Sequence, residues 1–457
     1  MSSVVLGLGS NCGDRAAHLR RAIRSLRLLR LEGQTRVQSV SRLYESDALL
    51  PENAPHSWNR PYLNLGLSIE TTVEPPVLLA QMKELEQRLG RRDRGRWAPR
   101  EIDIDLLTWG NLCMRSEVLT LPHSGLVHRP FVLLPLREVA PDWVHPEMGR
   151  TAADLAIEYA DSGGRISGSP RVRVRVSAEM LTQWVGILNV TPDSFSDGGR
   201  YVSPKRALER AAELLDEGAS VLDIGAESTR PGAQPLDPRE EWARLERVLE
   251  PITRMSAERA GETRERPIVS VDTRNPETAA RAISAGVEWI NDVTGGSDPR
   301  MASVVGPSGA TLVFMHSVAV PPEAGKTLPA DVDAIESVMC WAREWMTALT
   351  SAGIPADRLI FDPGIGFGKT PEQNVRLLGG VAELRDLGLP LLVGHSRKSF
   401  IRRLGLGEGA APEGRDLESA VISAHLADAG TDYVRVHRVD WSRRAAAISR
   451  WMGQGGS

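Results

Sequence analysis

Cysteine is scarce in this 457-residue sequence, with three residues, Cys12, Cys113 and Cys340, far apart. They make no metal-ligand spacing, and so odd and sparse a set argues against a disulfide framework and for a reducing compartment. Long apolar runs are missing too. None approaches the ~18 residues that a membrane span needs. The opening "MSSVVLGLGSN" has neither a basic segment with an apolar core nor an Arg/Ser-rich transit composition. A cytoplasmic chain without a membrane partner is expected. Charge of one sign is also lacking. Lys and Arg number 55 against 59 Asp and Glu, a net charge of −4, which makes no bulk electrostatic case for nucleic acid. What remains is globular: 41% apolar and 25% charged residues.

A phosphate-binding loop is absent where one first suggests itself. "DPGIGFGKT", Asp362 to Thr370, ends like such a loop. The pattern needs a glycine separated from Gly368 by about four residues. That position holds Pro363, and Gly364 comes one residue too late. A nucleotide, if one is used, must be held elsewhere.

The length suits two or three domains rather than one core. "YADSGGRISGSPRVRVRVSAEM" is rich in Gly, Ser and Arg and poor in apolar periodicity until its end. A linker is therefore expected over 159–182, between domains at 1–158 and 183–457. After it a rhythm begins. "WVGILNV", "SVLDIG", "PIVSVD", "VEWIND", "TLVFMH", "RLIFD", "PLLVGH" and "DYVRVH" are short apolar runs that end in polar residues. Gaps such as "SPKRALERAAELLDEGA" and "NPETAARAISAGV" carry helical spacing. The repeat predicts an α/β (β/α)8 barrel with strands buried on both faces. Its active site should gather where the strands end, at Asn189, Glu227, Asp272, Asn291 with Asp292, His316, Asp362, His395 with Ser396, and Arg435 with His437. The first half mixes strands and helices without that repeat, so α+β is expected.

"RRDRGRWAPREIDIDLLTWG" carries most of the chemistry of the first half. Asp103 and Asp105, two apart on a strand, share a face. Like charges there call for a cation, and magnesium with a nucleotide triphosphate suits a carboxylate pair plus phosphate oxygens. Arg88, Arg91, Arg92, Arg94, Arg96 and Arg100 cluster just before, as phosphoryl transfer requires. A solvated basic loop or an RNA-binding arm fits the arginines alone, and the acidic pair counts against RNA.

"GLGSN", "YLN", "RWAPREIDIDLL" and "LPHSGLVHRPFVLLPL" together resemble 6-hydroxymethyl-7,8-dihydropterin pyrophosphokinase over residues 4 to about 158. The resemblance implies a ferredoxin-like α+β fold and transfer of the terminal pyrophosphate of ATP to the pterin hydroxymethyl group. It implies magnesium at Asp103 and Asp105 and mobile catalytic cations at Arg91 and Arg100. It also implies ATP contacts at His123, Arg129 and Arg96, and pterin contacts at Tyr62, Asn64 and Phe131. The stretch Ser46 to Leu50 departs from the family's pterin loop: Ser46 keeps a hydroxyl, while Asp47, Ala48 and Leu50 break the pattern.

In the second half, Phe195 and Tyr201 within "ILNVTPDSFSDGGRY" suggest a lid. Ser228, Thr229 and Arg230 in "GAESTRPGA" offer hydroxyls and a cation to an anion. "GHSRKSF" follows the seventh strand, where barrels often bind phosphate. With "VDT", "INDV", "DPGIGFGK" and "RVH" these loops resemble dihydropteroate synthase over roughly 183 to 452. That likeness implies condensation of the pterin pyrophosphate with 4-aminobenzoate to 7,8-dihydropteroate. Asp272, Asn291 and Asp362 would bind the pterin's donor edge and Lys398 its carbonyl side. Asn189, with magnesium, Arg435 and His437 would hold pyrophosphate. Thr229, Pro231, Phe367 and Ser396 would shape the aminobenzoate pocket. His395 departs from the family by its size. A homodimer through the barrel is implied as well. Two other readings stay open at this point: a first half reduced to a non-catalytic pterin-binding module, and a pterin-binding methyltransferase-type barrel.

Overall fold

A near-continuous apolar run at the start of the chain, "VVLGL", makes a strand buried on both sides, β1 (Ser2–Ser10). It lies between β4 (Tyr62–Thr71) and β5 (Asp103–Trp109), antiparallel to both. This computed structural model describes residues 1–457 except 29–34, 96, 162–171, 176–181, 192–202, 228–234, 262–264, 324, 405–410 and 453–457. The chain divides into two compact units near residue 177.

In the first unit, "TRVQSVSRLYES" reads as one strand but forms two, β2 (Thr35–Val40) and β3 (Leu43–Ser46). Both lie along the same edge of β4. The break has a local cause. Ser41 Oγ takes the Gly66 N–H at 2.8 Å, and the Arg42 N–H turns away to Glu138 Oε2 at 2.8 Å. Glu138 also accepts from Arg42 Nε at 2.6 Å and from the Tyr44 hydroxyl. One carboxylate thus fixes the bend that starts β3. Within the expected linker, Val172–Arg175 forms an edge strand, β8, antiparallel to β3. A small hairpin, β6 (Met114–Arg115) and β7 (Thr120–Leu121), lies apart.

Helix α1 (Arg15–Leu28) buries Ala17, Leu19, Ala22, Ile23 and Leu26, a stripe at three- and four-residue spacing. Each buried leucine or isoleucine supplies roughly 1.5–3 kcal/mol. Helix α2 (Pro75–Arg88) does the same with Leu78, Met82 and Leu85. Helix α3 (Pro130–Val139) starts on a proline, which suits a first turn, and keeps Pro135 inside. With α4 (Ala152–Asp161) it joins Val5 and Leu107 in one core around Val132, Leu133, Leu136 and Leu155.

The second unit is the expected barrel. Its strands are β9 (Gln183–Asn189), β10 (Val221–Gly225), β11 (Ile268–Asp272), β12 (Trp289–Asp292), β13 (Thr311–Met315), β14 (Leu359–Asp362), β15 (Leu392–Gly394) and β16 (Tyr433–Val436). They are parallel, in the order β14-β13-β12-β11-β10-β9-β16-β15. A parallel bridge from Phe361 to Leu391 closes the ring. Among the described residues a helix follows each strand: α5 (Pro204–Glu217), α6 (Pro238–Glu258), α7 (Pro276–Ser284), α8 (Pro299–Ser308), α9 (Ala334–Ser351), α10 (Pro371–Gly379), α11 (Asp416–Asp428) and α12 (Val439–Met452). No helix among the described residues is long and apolar enough to cross a membrane.

The register decides which residues fill the barrel. Val185, Val221, Trp289, Val313, Ile360, Leu392 and Tyr433 form one apolar layer inside it, with Trp289 and Tyr433 edge-on at 4.9 Å. Because side chains alternate, the next inward positions toward the strand ends include Asp223, Ser270, Asn291, Asp362 and Arg435, and Asp272 stands one inward step above Ser270. The apolar layer plugs the floor, and a charged layer stands above it.

Candidate active sites

In the first unit a cleft of about 280 Å³ opens over β1, β4 and β5, lined among others by Asp103, Asp105, Tyr62, Asn64, His123 and Arg129. Register brings them together: Gly9 lies opposite both Asn64 and Asp103, and Gly7 opposite Asp105. A side chain at Gly9 would begin 3.1 Å from Asn64 Oδ1 and intrude on the cleft. Asn64 Nδ2 donates to Ser46 Oγ at 3.0 Å and to Tyr44 O at 3.4 Å. Ser46, Asp47, Leu49 and Leu50 also line the cleft, so the stretch that departs from the family pattern faces the site. Phe131 lines it from the first turn of α3. Trp97 borders it with φ at +71°, a left-handed conformation that a bulky residue adopts only when its surroundings enforce it.

Arg91 and Arg100 both reach Asp103, each at 2.7 Å. Glu86, almost fully buried on α2, takes Lys83 Nζ at 2.9 Å, the Ile104 N–H at 2.6 Å and the Arg91 guanidinium. Burial holds the Glu86 carboxyl above its usual pKa, against the pull of Lys83. Asp105 differs from Asp103: among the described residues no donor meets it. Burial, and then the neighbouring Asp103 charge, push its pKa up. His123 is pushed down by burial, with Asp105 opposing. A carboxylate pair on one strand face, one member lacking a partner, is a fitting place for a divalent cation.

At the barrel mouth the polar layer is a connected network. Arg435 donates from Nε to Asp223 at 2.6 Å and from Nη2 to Asp272 at 2.8 Å. Asp223 also accepts from Ser270 Oγ at 2.5 Å and Asn291 Nδ2 at 3.0 Å. Burial raises the Asp272 pKa, and Arg435 resists that rise. Burial raises Asp362 too, against Lys398 and the Gly364 N–H, which donates at 2.7 Å. Lys398 stands 4.6 Å from the centre of the Phe367 ring, donates to Ile365 O, and is held down to about 8 by burial, with Asp362 opposing. Gly225 separates Asn189 from Asp272, and a Cβ there would lie 3.5 Å from the nearest atom of each. Ser396 Oγ and His437 Nδ1 are 3.0 Å apart.

Several strand-end residues do not join this cluster. Asp292 faces outward and accepts from Thr294 N, Thr294 Oγ1 and Gly296 N, which closes a turn. Glu227 pairs with Arg274. Arg397 is held by Asp416 at 2.7 and 2.8 Å. His395 lies between β15 and α11, with Nε2 at 2.8 Å from Ser419 O and 3.2 Å from Ser423 Oγ. Burial lowers its pKa to about 4, so it is a neutral packing residue among small serines. Arg96, Thr229 and Pro231 lie outside the described residues, as do Phe195, Tyr201, Ser228 and Arg230. Asp223 was missed by reading strand ends alone. Its signal was an aspartate inside the apolar run "SVLDIG".

"GIGFGKT" resolves as a loop of the barrel site. Gly364 has φ +68°, and a Cβ there would begin 1.8 Å from the His316 carbonyl oxygen. Only glycine fits so close an approach. Lys369 is buried beneath, with Nζ 2.9 Å from His316 Nδ1, 3.3 Å from His316 O and 3.1 Å from Phe367 O. Burial lowers Lys369 to about 7 and His316 to about 3. The lysine ties the loop to the end of β13.

Fold and sites together define an enzyme with a phosphoryl-transfer type of cleft in one unit and a barrel whose mouth presents acceptors beside two cations. Residues 5–141 match the family 7,8-dihydro-6-hydroxymethylpterin-pyrophosphokinase, and residues 185–437 match pterin binding enzyme. The folate synthesis bifunctional protein of Chlamydia trachomatis is 37% identical over 98% of both chains. The mitochondrial protein of that name from Pisum sativum is 34% identical over 95% of this chain and 86% of its own. Dihydropteroate synthase from Anaplasma phagocytophilum, solved with 6-hydroxymethylpterin-monophosphate, is 33% identical with a TM-score of 0.53, over 60% of this chain and 99% of that one. The Xanthomonas albilineans synthase with 4-aminobenzoic acid gives 34% and 0.54, over 63% and 96%. The chain belongs to the family of folate synthesis bifunctional proteins, which join a pterin pyrophosphokinase to a dihydropteroate synthase.

The loop geometry yields a first test. Gly364→Ala should lower dihydropteroate formation from supplied pterin pyrophosphate on the order of 100-fold, the equivalent of about 3 kcal/mol of strain and displacement. Pyrophosphokinase turnover of the same chain should stay at the wild-type level. Wild-type synthase activity in Gly364→Ala would contradict the close approach to His316.

Proposed function

We propose that the first unit uses ATP and magnesium to pyrophosphorylate 6-hydroxymethyl-7,8-dihydropterin, and that the barrel condenses that product with 4-aminobenzoate. The observation that carries the reading is that each unit holds its own full set of charged groups. Asp103, Asp105, Arg91 and Arg100 serve phosphoryl transfer, while Asp272, Asn291, Asp362, Lys398 and Arg435 serve pterin and pyrophosphate.

In the first reaction the pterin hydroxyl oxygen gives up its proton to solvent and bonds to the β-phosphorus of ATP. The bond from that phosphorus to the α–β bridging oxygen breaks and AMP leaves. Asp103 and Asp105 would hold magnesium, which when bound neutralises phosphate charge as it shifts. Arg91 and Arg100, already gathered at Asp103, are aimed to stabilise the transferring group. His123, Arg129 and Arg96 hold ATP. Asn64 reads the pterin edge, and Tyr62 and Phe131 cover the ring.

In the second reaction the aminobenzoate nitrogen bonds to the pterin methylene carbon. The carbon–oxygen bond to pyrophosphate breaks, and the nitrogen loses a proton. Asp272, Asn291 and Asp362 accept from the pterin's N–H edge. Lys398 donates to its carbonyl, and Phe367 supplies an apolar wall. Arg435 and His437 take the charge that develops on pyrophosphate, and Asn189 would help hold a magnesium ion that neutralises it when bound. Ser396, Thr229 and Pro231 shape the aminobenzoate end. The barrel pairs with a second copy through exposed apolar side chains of α11 and α12: Leu417, Val421, Ile448 and Trp451 are each more than half exposed.

Asp103→Ala should abolish AMP formation and leave condensation of supplied pterin pyrophosphate intact. Lys398→Ala should do the reverse. Loss of both activities in a stably folded Asp103→Ala chain would defeat the two-site reading. A pH profile adds a second check. Lys398 carries its charge below about pH 8 and loses it above, so kcat/KM for pterin pyrophosphate should fall through that region. Lys398→Arg keeps the charge and should remove this limb, whereas an unchanged limb would assign the titration elsewhere. Sedimentation of the full chain should give a dimer, and Trp451→Glu with Val421→Glu should give a monomer. A wild-type monomer at micromolar concentration would refute the pairing.

A further inference from the structure

Asp223 lies one layer below the rim, 1% exposed, and is not among the groups assigned to substrate. Its partners are what distinguish it. Asn291 Nδ2 and Arg435 Nε both donate to Asp223 Oδ2, at 3.0 and 2.6 Å, and Ser270 Oγ donates to Oδ1 at 2.5 Å. Two of its three donors therefore belong to residues of the synthase site.

We propose that Asp223 is the positioning residue that makes Asn291 a hydrogen-bond acceptor toward the pterin and aims Arg435 at the leaving pyrophosphate. The inference rests on the reading of the barrel mouth given above. An asparagine side chain offers an acceptor on one side and a donor on the other. A carboxylate facing it only accepts, so it draws in the amide nitrogen and leaves Oδ1 for the opposite side. Asn291 is 5% exposed and sits on the inner face beside Asp272 in register. Turned over, it would present a donor to a donor, and an unmatched buried pair of that kind costs about 1–3 kcal/mol. The same carboxylate grips Arg435 at Nε while Asp272 grips Nη2. Two fixed points set the plane of the guanidinium, and among the described residues Nη1 is the end left over for an anion. Asp223 touches no substrate in this scheme and acts through the two residues it orients.

The test uses the full chain with supplied pterin pyrophosphate and 4-aminobenzoate. Asp223→Asn keeps the shape but removes the acceptor-only property. Its KM for pterin pyrophosphate should rise about 10- to 100-fold, the scale of one charge-assisted hydrogen bond, with KM for aminobenzoate within twofold. Adding Asn291→Asp to Asp223→Asn restores an acceptor toward the pterin and a donor–acceptor pair behind it. That double variant should recover at least tenfold in pterin KM, whereas Asn291→Asp alone, facing Asp223, should be as impaired as Asn291→Ala. Near-ultraviolet dichroism of the full chain checks that each variant keeps its fold. If Asp223→Asn does not fold, the two single variants at Asn291 decide, because wild-type-like Asn291→Asp would overturn the proposal. Equal weakening of both substrates, or a double variant no better than Asp223→Asn, would also overturn it. A wild-type chain that makes no dihydropteroate from these substrates would instead remove the reading of the site itself.

Discussion

A carboxylate taken out of water must find a cation or surrender its charge. In the first unit Asp103 finds two guanidinium groups, while Asp105, beside it on the same strand face, finds none among the described residues. In the barrel three inward carboxylates, Asp223, Asp272 and Asp362, are balanced against Arg435 and Lys398. Burial presses Asp272 and Asp362 toward their neutral forms, and Arg435 and Lys398 oppose that shift.

The backbone exists to place those groups. Gly9 clears the space between Asn64 and Asp103, and Gly225 does so between Asn189 and Asp272. The apolar floor of the barrel, centred on Trp289 and Tyr433, keeps water from the underside of the charged layer, so each ion pair there acts in a medium less screening than water. The "GIGFGKT" stretch contributes by shape. Gly364 lets the backbone close on the His316 carbonyl, and Lys369 fastens the loop from beneath.

How much of this could be read from sequence follows from which signals are local. The eight barrel strands are legible because parallel strands buried on both faces leave continuous apolar runs. The carboxylate pair at Asp103 and Asp105 is legible because period-two geometry needs no tertiary knowledge. Parity is harder. Asn291 and Asp292 are adjacent, and only the sheet register shows that the first faces the site and the second closes a turn. His395 looks like part of the rim and instead packs against α11 for the same reason. Asp223 was hidden by the assumption that function sits at strand ends, although an aspartate within an apolar run is itself a signal. The break between β2 and β3 depends on Glu138, nearly a hundred residues away along the chain. The strand at Val172–Arg175 lies in a segment whose composition suggests only a linker.

The central claim is that one chain carries two complete and successive chemistries, each run by its own charged groups. The most direct test follows product stoichiometry in the unmodified chain. With ATP, magnesium, 6-hydroxymethyl-7,8-dihydropterin and 4-aminobenzoate supplied together, each dihydropteroate formed should be accompanied by one AMP and one pyrophosphate. Without ATP, dihydropteroate should form only when pterin pyrophosphate is added. Dihydropteroate formed from unphosphorylated pterin without ATP, or AMP released with no pterin pyrophosphate made, would contradict the account.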